Sequence, residues 1–339
     1  MLNQQPTARY QRKLKAIVAL ADRWQGAINK EEWPDLIKLL KKFSGFSKGY
    51  IRLTEQMPPE IARPQFVLKR GIDKLLNEWS TISRACEQRI ERAENNGDSF
   101  QHGDLSDNLK GARKKLQSYC ERWNGEGTAN PYLPLNEPVV YFEKVYRLSR
   151  SVYAPEIPII SIPLVDYDPD YSYNSSEPDE KQVRWTALAH EFGHHIFWNS
   201  LELENMAQMR SDMREKVIDA LAVSAERGKA IIGIQRIHVS QKMVERTTLW
   251  GHWLEEVFAD VCGTLLDGPA YALSAQDIAA ERVAVVDDLI KDDHEHPAPY
   301  LRPLISIQVL EKMAQETDSD EFRVLLLTEN GLINQLKQR

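Results

Sequence analysis

The chain has 339 residues, 42% of them hydrophobic and 9% aromatic, enough apolar side chain for one large or two ordinary domains and too much for a globally disordered chain. A formal net charge of −7 argues against a dominant nucleic-acid surface, so no nucleic-acid partner is expected. The three cysteines, Cys86, Cys120 and Cys262, are odd in number and far apart, which reads as reduced thiols of a cytoplasmic protein and excludes a disulfide frame.

In chain order, residues 8–124 predict helices. Tyr10, Leu14, Ile17, Val18 and Ala21 recur at helical spacing, and Leu36, Ile37, Leu39 and Leu40 repeat the pattern between Trp33 and Phe43. Ala16 to Ala21 is too short for a signal-peptide apolar region and is followed at once by Asp22 and Arg23. Pro58-Pro59 breaks the chain; a longer helix is expected from about Arg63 to Ala93, carrying Leu75, Leu76, Trp79, Ile82 and Cys86. After a turn at Asn95-Asn96-Gly97-Asp98, another helix spans about Leu105 to Trp123. Charge runs such as Arg113-Lys114-Lys115 read as solvated helix surface, and Trp24, Trp33, Trp79 and Trp123 as core. The Gly-, Pro- and Asn-rich segment ending at Pro138 is the linker candidate, assigned to 126–138.

Beyond the linker, Val139 to Tyr146 is strand-like and Ile157 to Pro163 reads as an edge strand, since Pro158 and Pro163 lack a backbone donor. The most apolar stretch, Val152 to Val165, is too short to span a bilayer and holds three prolines, so no integral membrane segment is expected. Asp166 to Ser176 reads as a polar loop, and the remainder as mostly helical with a polar bend at Asp287 to Pro299.

The chemistry concentrates at His190-Glu191-Phe192-Gly193-His194. Histidines at i and i+4 share a helical face with Cβ atoms about 5–6 Å apart, close enough to share one ion. This H-E-x-x-H spacing is the zinc-hydrolase arrangement, with two histidines on Zn²⁺ and the glutamate as general base. Ser176-Glu177-Pro178-Asp179 reads as the helix N-cap. Successive 100° steps put Trp185, Leu188, Phe192 and Ile196 on one face and His190 and His194 opposite, with Glu191 at the flank. Gly193 costs helix stability, and it leaves room for another backbone near the ion. His195 points toward the apolar back and reads as a packed or hydrogen-bonded residue.

A catalytic zinc needs a third protein ligand and one open position. The best donor lies in Trp253-Leu254-Glu255-Glu256-Val257-Phe258-Ala259-Asp260, where Trp253, Leu254, Val257, Phe258 and Val261 form an apolar stripe and Glu256 and Asp260 share a flank. Glu256 is the expected ligand and Asp260 the group that orients a ligand histidine. Glu255 is expected to face solvent. His252, one turn before Glu256, borders the cleft or replaces Glu256 as ligand.

HEFGH followed by EEVFAD resembles the gluzincin metallopeptidases, whose third ligand comes from an E-x-x-x-D helix. His296-Pro297-Ala298-Pro299-Tyr300-Leu301-Arg302 is similar to the H-P-P-x-x-x-R segment of the prenyl-protein endopeptidase and heat-shock zinc endopeptidase family. That family has transmembrane helices, which this chain lacks, and Ala298 stands where proline is usual. The resemblance implies that His296 and Arg302 lie near the substrate carbonyl. It covers about residues 185–305; the first 125 residues carry none.

The expected architecture is mostly α (α+β): an α-helical domain over 1–125, a linker over 126–138, and a zincin-like metallopeptidase domain over 139–339 with a small edge-stranded sheet. The expected function is a zinc-dependent peptidase acting on peptide or protein substrates, with Zn²⁺ on His190, His194 and Glu256 and Glu191 as general base. His296, Arg302 or Tyr300 supplies a second oxyanion donor, and the strand Ile157 to Ile162 pairs with substrate backbone. Two alternatives stand beside it. One is a regulatory protein that docks a partner through its N-terminal helices and keeps a structural or repressed zinc site. The other is a zinc hydrolase of a non-peptide amide.

Overall fold

The computed structural model describes residues 5–56, 62–94, 102–125, 135–143, 146–163, 186–200, 208, 211–212, 215–216, 253–276 and 301–327. The chain divides into two compact units, one comprising residues 1–120 and 136–175, the other 121–135 and 176–339. No described helix is long and apolar enough to cross a membrane.

The first unit contains α1 (Gln5–Ala27), α2 (Pro34–Gln56), α3 (Ala62–Glu94) and most of α4 (His102–Asn124), together with a three-stranded sheet. The periodic positions form its core. Leu14, Ile17 and Ala21 of α1, Leu36, Leu39, Leu40 and Phe43 of α2, and Leu75, Trp79, Ile82 and Cys86 of α3 are all buried. Trp24 stacks on Trp79 with ring centroids 5.4 Å apart, so the two helices interlock through their largest side chains. Pro58-Pro59, Asn95–Asp98 and residues 126–134 of the linker lie outside the described residues. Arg113 departs from the solvated reading. It forks onto the Glu137 carboxylate, donates to the Glu32 carbonyl and lies over the Trp33 ring, while Lys114 is exposed.

The sheet corrects two expectations. Its strands are β1 (Val139–Glu143), β2 (Arg147–Ser151) and β3 (Ala154–Pro163), in the order β1-β3-β2. β3 is therefore the central strand and not an edge. It pairs in parallel with β1, Val139 opposite Ile159 to Glu143 opposite Pro163, and antiparallel with β2 through a turn at Val152-Tyr153. The prolines are accommodated at the margins of these ladders. Pro158 precedes the first pair with β1 and sits beside the register shift at Arg150/Ser151, and Pro163 is the last pair. The isoleucine-rich run, interrupted only by the buried Ser161, explains the central place, because a strand covered on both faces needs no polar alternation. Every residue from Ile157 to Pro163 is buried. Substrate backbone consequently cannot add to this strand, whose two sides are already paired. The outer edge of β1 is closed as well. Gln88 of α3 donates to the Phe142 carbonyl at 2.7 Å and accepts the Phe142 N–H at 2.8 Å, and Arg89 donates to the Val140 carbonyl at 2.6 Å.

The sheet thus belongs to the helical unit and not to the unit that carries the H-E-x-x-H segment. The second unit contains α5 (Ala187–Ser200), α6 (residues 253–267), α7 (residues 269–276), α8 (Leu301–Glu316) and α9 (Asp320–Leu327). Its core joins Ala272 of α7 to Ile307, Leu310 and Ala314 of α8 and Leu326 of α9. Gly268, at φ 59°, ends α6 in the left-handed region, its N–H donating to the Thr264 carbonyl at 2.7 Å, and Pro269 opens α7. This Gly-Pro junction turns the chain so that Tyr271 folds back onto α6. There its ring occupies the space that a side chain at Gly263 would need; a Cβ at that position would lie 2.5 Å from the ring.

Candidate metal centre

From Leu188 to Phe197, α5 is buried on every side. Leu188, Phe192 and Ile196 have 1% exposure or less, and His190, Glu191 and His194 have less than 10%. The helix starts at Ala187, with Thr186 in the preceding turn accepting the Ala189 N–H at 2.9 Å. The expected N-cap at Ser176 to Asp179 and Trp185 lie outside the described residues. His195 is fully buried, packed against the Phe192 ring and 2.7 Å from Asn199 Nδ2, so it faces away from the centre as its helical direction predicts.

Gly193 decides how α6 docks. A Cβ there would stand 2.7 Å from the Ala259 Cα and 2.9 Å from the Ala259 carbonyl oxygen, so the two backbones touch where only hydrogen fits. The buried face of α6 is correspondingly small or polar: Ala259, Asp260, Cys262, Gly263 and Thr264. The expected apolar stripe is only half-covered at Leu254, Val257, Phe258 and Val261, with Trp253 alone of that set buried. Replacing Gly193 with Val puts carbon into a backbone, which cannot give way as a flexible side chain would. The expected cost is about 1–3 kcal/mol, read as a lowered thermal midpoint, together with weakened metal binding as Glu256 withdraws. An unchanged midpoint and affinity would refute this close approach.

The approach brings Glu256 to the two imidazoles. His190 Nε2 and His194 Nε2 are 3.1 Å apart, and they lie 3.3 and 3.4 Å from the two Glu256 carboxylate oxygens. The ligand atoms of these three residues all fall within 4.8 Å of one another. A tetrahedral ion with bonds of 2.0–2.1 Å separates its ligand atoms by about 3.3 Å, so the donors are already spaced to fit one. Two imidazoles and a carboxylate without thiolate are also the donor set of a hydrolytic centre rather than a closed structural one.

His190 is held from behind by three groups. Asp260 Oδ1 lies 3.0 Å from its Nδ1, an acceptor that keeps a proton on Nδ1 and leaves Nε2 as the atom that would meet an ion. Arg302, in the first turn of α8, donates to both Asp260 oxygens at 2.8 and 2.7 Å. The Tyr271 hydroxyl donates to Asp260 and is 3.2 Å from His190 Nδ1. Asp260 is fully buried, and burial alone would raise its pKa; the Arg302 charge and the His190 hydrogen bond override it and hold the carboxyl well below its ordinary value. Burial pushes the Tyr271 phenol far up, so it stays a neutral donor. For His190, burial and Arg302 pull downward, but the hydrogen bonds to Asp260 and Glu256 and the Asp260 charge prevail and lift it to about 9. Glu256 is lowered, its burial outweighed by His190.

A group raised above its unfolded value stabilises the fold below that value and loses its contribution as pH rises through the folded one, here between 6.5 and about 9 for His190. The same proton must leave when an ion takes Nε2. Apparent metal affinity is therefore expected to climb about tenfold per pH unit up to about pH 9, with about one proton released per ion at pH 7. Titration calorimetry in buffers of different ionisation enthalpy measures that proton; a heat independent of buffer contradicts the expectation.

The sequence-predicted residues divide accordingly. His190, His194, Glu256 and Asp260 come together as expected. Glu191 is buried on the ligand helix, and among the described residues no hydrogen bond or ion pair claims its carboxylate. Arg302 reaches the centre: its guanidinium is bonded to Asp260 and lies 3.1 Å from His190 Nδ1 and 3.3 Å from its Nε2. His252, His296 and Tyr300 lie outside the described residues. Glu255 is a correction. Its Oε1 is 3.0 Å from His194 Nδ1 and accepts the Trp198 indole N–H at 2.6 Å, so it serves the second imidazole instead of facing away. Tyr271, which sequence reasoning missed, has its one local signal in the Gly-Pro junction before it.

No family model matches this chain, and no curated protein or solved structure matches it significantly.

Proposed function

We propose that this protein is a zinc-dependent metallopeptidase of the gluzincin kind. The observation that carries the reading is the His190–His194–Glu256 cluster, its donor atoms spaced as a tetrahedral ion requires, with both histidines on a helix that also holds the buried Glu191 carboxylate, which no described residue claims. When bound, zinc lowers the pKa of a water in its open position to about 7 and polarises the carbonyl to be attacked. His190 and His194 present their Nε2 atoms and Glu256 its carboxylate. Glu191 takes the proton of the attacking water and returns it to the leaving amine. Asp260, Arg302 and Tyr271 keep the His190 ring fixed while charge changes beside it. A donor near the substrate carbonyl comes from His296 or Tyr300, with Arg302 held in the role of clamp. Peptides and unfolded proteins are the substrates, and the cytoplasm is the place of action.

The test is direct. The full chain, loaded with one equivalent of zinc, is incubated with a denatured protein mixture, with and without chelator. Chelator-sensitive fragments that return on adding zinc support the reading. A protein that binds zinc but cuts nothing, while hydrolysing small amides, moves the assignment to a non-peptide amidohydrolase.

A further inference from the structure

The second ligand histidine has a support of its own, built differently from the first. Asp260, behind His190, is fully buried and neutralised by Arg302. Behind His194 stands Glu255, with a side chain 28% exposed and no cation beside it among the described contacts. What holds Glu255 is Trp198, one turn beyond His194 on the same helix, whose indole N–H donates to the same Oε1 at 2.6 Å. Histidine at i and tryptophan at i+4 of α5 thus converge on one carboxylate oxygen of α6.

We propose that Glu255 is a positioning residue of the metal centre. Fixed by Trp198, it accepts the His194 Nδ1–H and so aims Nε2 at the ion. The proposal rests on the reading that His190, His194 and Glu256 hold a metal. The chemistry is that of a carboxylate behind a ligand imidazole: a single acceptor selects the tautomer, stops the ring from turning about χ2 and raises its basicity. Adjacent residues of α6 then do two jobs. Glu256 binds the ion and Glu255 orients the ligand beside it, because the close crossing at Gly193 lets consecutive side chains straddle the imidazole edge. Trp198 is 39% exposed, a large apolar side chain whose placement is explained by this bond rather than by the core.

The experiment measures affinity for Zn²⁺ by competition with a chromophoric chelator, and the visible spectrum of the Co²⁺-loaded protein, for the parent, Glu255→Ala, Glu255→Gln and Trp198→Phe. Glu255→Ala is expected to weaken zinc binding roughly 10- to 100-fold and to alter the cobalt bands. Glu255→Gln keeps an oxygen acceptor at the same place and should recover most of that loss. Trp198→Phe removes the donor and should fall between parent and Glu255→Ala. Thermal melts of the chelated proteins separate this from simple misfolding, since Glu255→Gln and Trp198→Phe leave the backbone contacts intact. Affinity and spectrum in Glu255→Ala equal to the parent's would overturn the proposal, as would Glu255→Gln falling as far as Glu255→Ala. A parent that binds no ion would overturn the metal centre itself. A parent that binds zinc tightly without peptidase activity would leave Glu255 in place and remove only the peptidase reading.

Discussion

Glu191→Gln is expected to keep its zinc and lose its hydrolysis, by roughly 10²- to 10⁴-fold in kcat. Glutamine has nearly the volume of glutamate, so the 7%-exposed site stays filled and α5 keeps its packing through Leu188, Phe192 and Ile196. It touches neither imidazole bond, so His190, His194 and Glu256 still offer their three atoms. What disappears is basicity, because an amide cannot accept the proton of an attacking water at neutral pH. A second readout follows from burial. A buried carboxylate that no described residue pairs or hydrogen-bonds is costly to hold, so its neutral isostere should be as stable as the parent or more so. His190→Ala is the contrasting variant, losing the ion and the activity together. Metal content by mass spectrometry, kcat and the thermal midpoint decide the matter. An active Glu191→Gln rejects the base assignment. A Glu191→Gln that loses its zinc places Glu191 among the groups that build the centre.

The helical part of this fold was readable because apolar residues at 3.6-residue spacing need only their own helix to declare a face. Leu14, Leu36, Leu75 and Ile82 lie in the core where that pattern puts them. The same holds for the paired histidines on α5, since an i, i+4 pair is a local fact. The flank shared by Glu256 and Asp260 was legible for the same reason, and Gly193 left room for a second backbone. Directions about one helix axis do not, however, say how two helices cross. Glu255 points off one flank of α6 when that helix is considered alone. Only the approach of Ala259 to Gly193 brings that flank against His194. Tyr271 depends on the left-handed turn at Gly268, and no periodicity reaches across it. The sheet was misread through an overweighted rule. Two prolines suggest an edge, yet both fall where a ladder begins or ends, and the isoleucine-rich run between them, interrupted only by Ser161, is the better sign of a central strand. Its membership of the helical unit depends on Gln88 and Arg89 gripping β1, contacts made 51 to 54 residues apart in the chain.

Arg302 separates two roles that the resemblance and the contacts assign to it. As a donor to the substrate carbonyl, its removal would lower kcat and leave the fold alone. As the clamp on Asp260, its removal strands a fully buried carboxylate, and breaking a buried pair from one side costs about 3–5 kcal/mol. Arg302→Met is therefore expected to lose about 3 kcal/mol at neutral pH, the low end of that range, because protonated His190 and the Tyr271 hydroxyl still face Asp260. The loss should deepen as rising pH strips the proton from His190. Arg302→Lys should rescue only part, since an ammonium cannot make the two parallel bonds that the guanidinium makes. Asp260, held below its ordinary pKa, stabilises the parent above about pH 3.8 and ceases to as pH falls through its lower folded value, so the parent and Arg302→Met curves should converge in acid. The double variant Asp260→Leu/Arg302→Met removes both charges together. With both charges gone the fold should regain most of its stability, because a well-packed apolar pair often matches a buried ionic one. Zinc affinity should not return with it, since His190 has lost the carboxylate that fixes its tautomer. Chemical denaturation at several pH values and zinc titration of the same four proteins measure both quantities. A stable, zinc-binding Arg302→Met whose kcat alone collapses would return Arg302 to the substrate carbonyl.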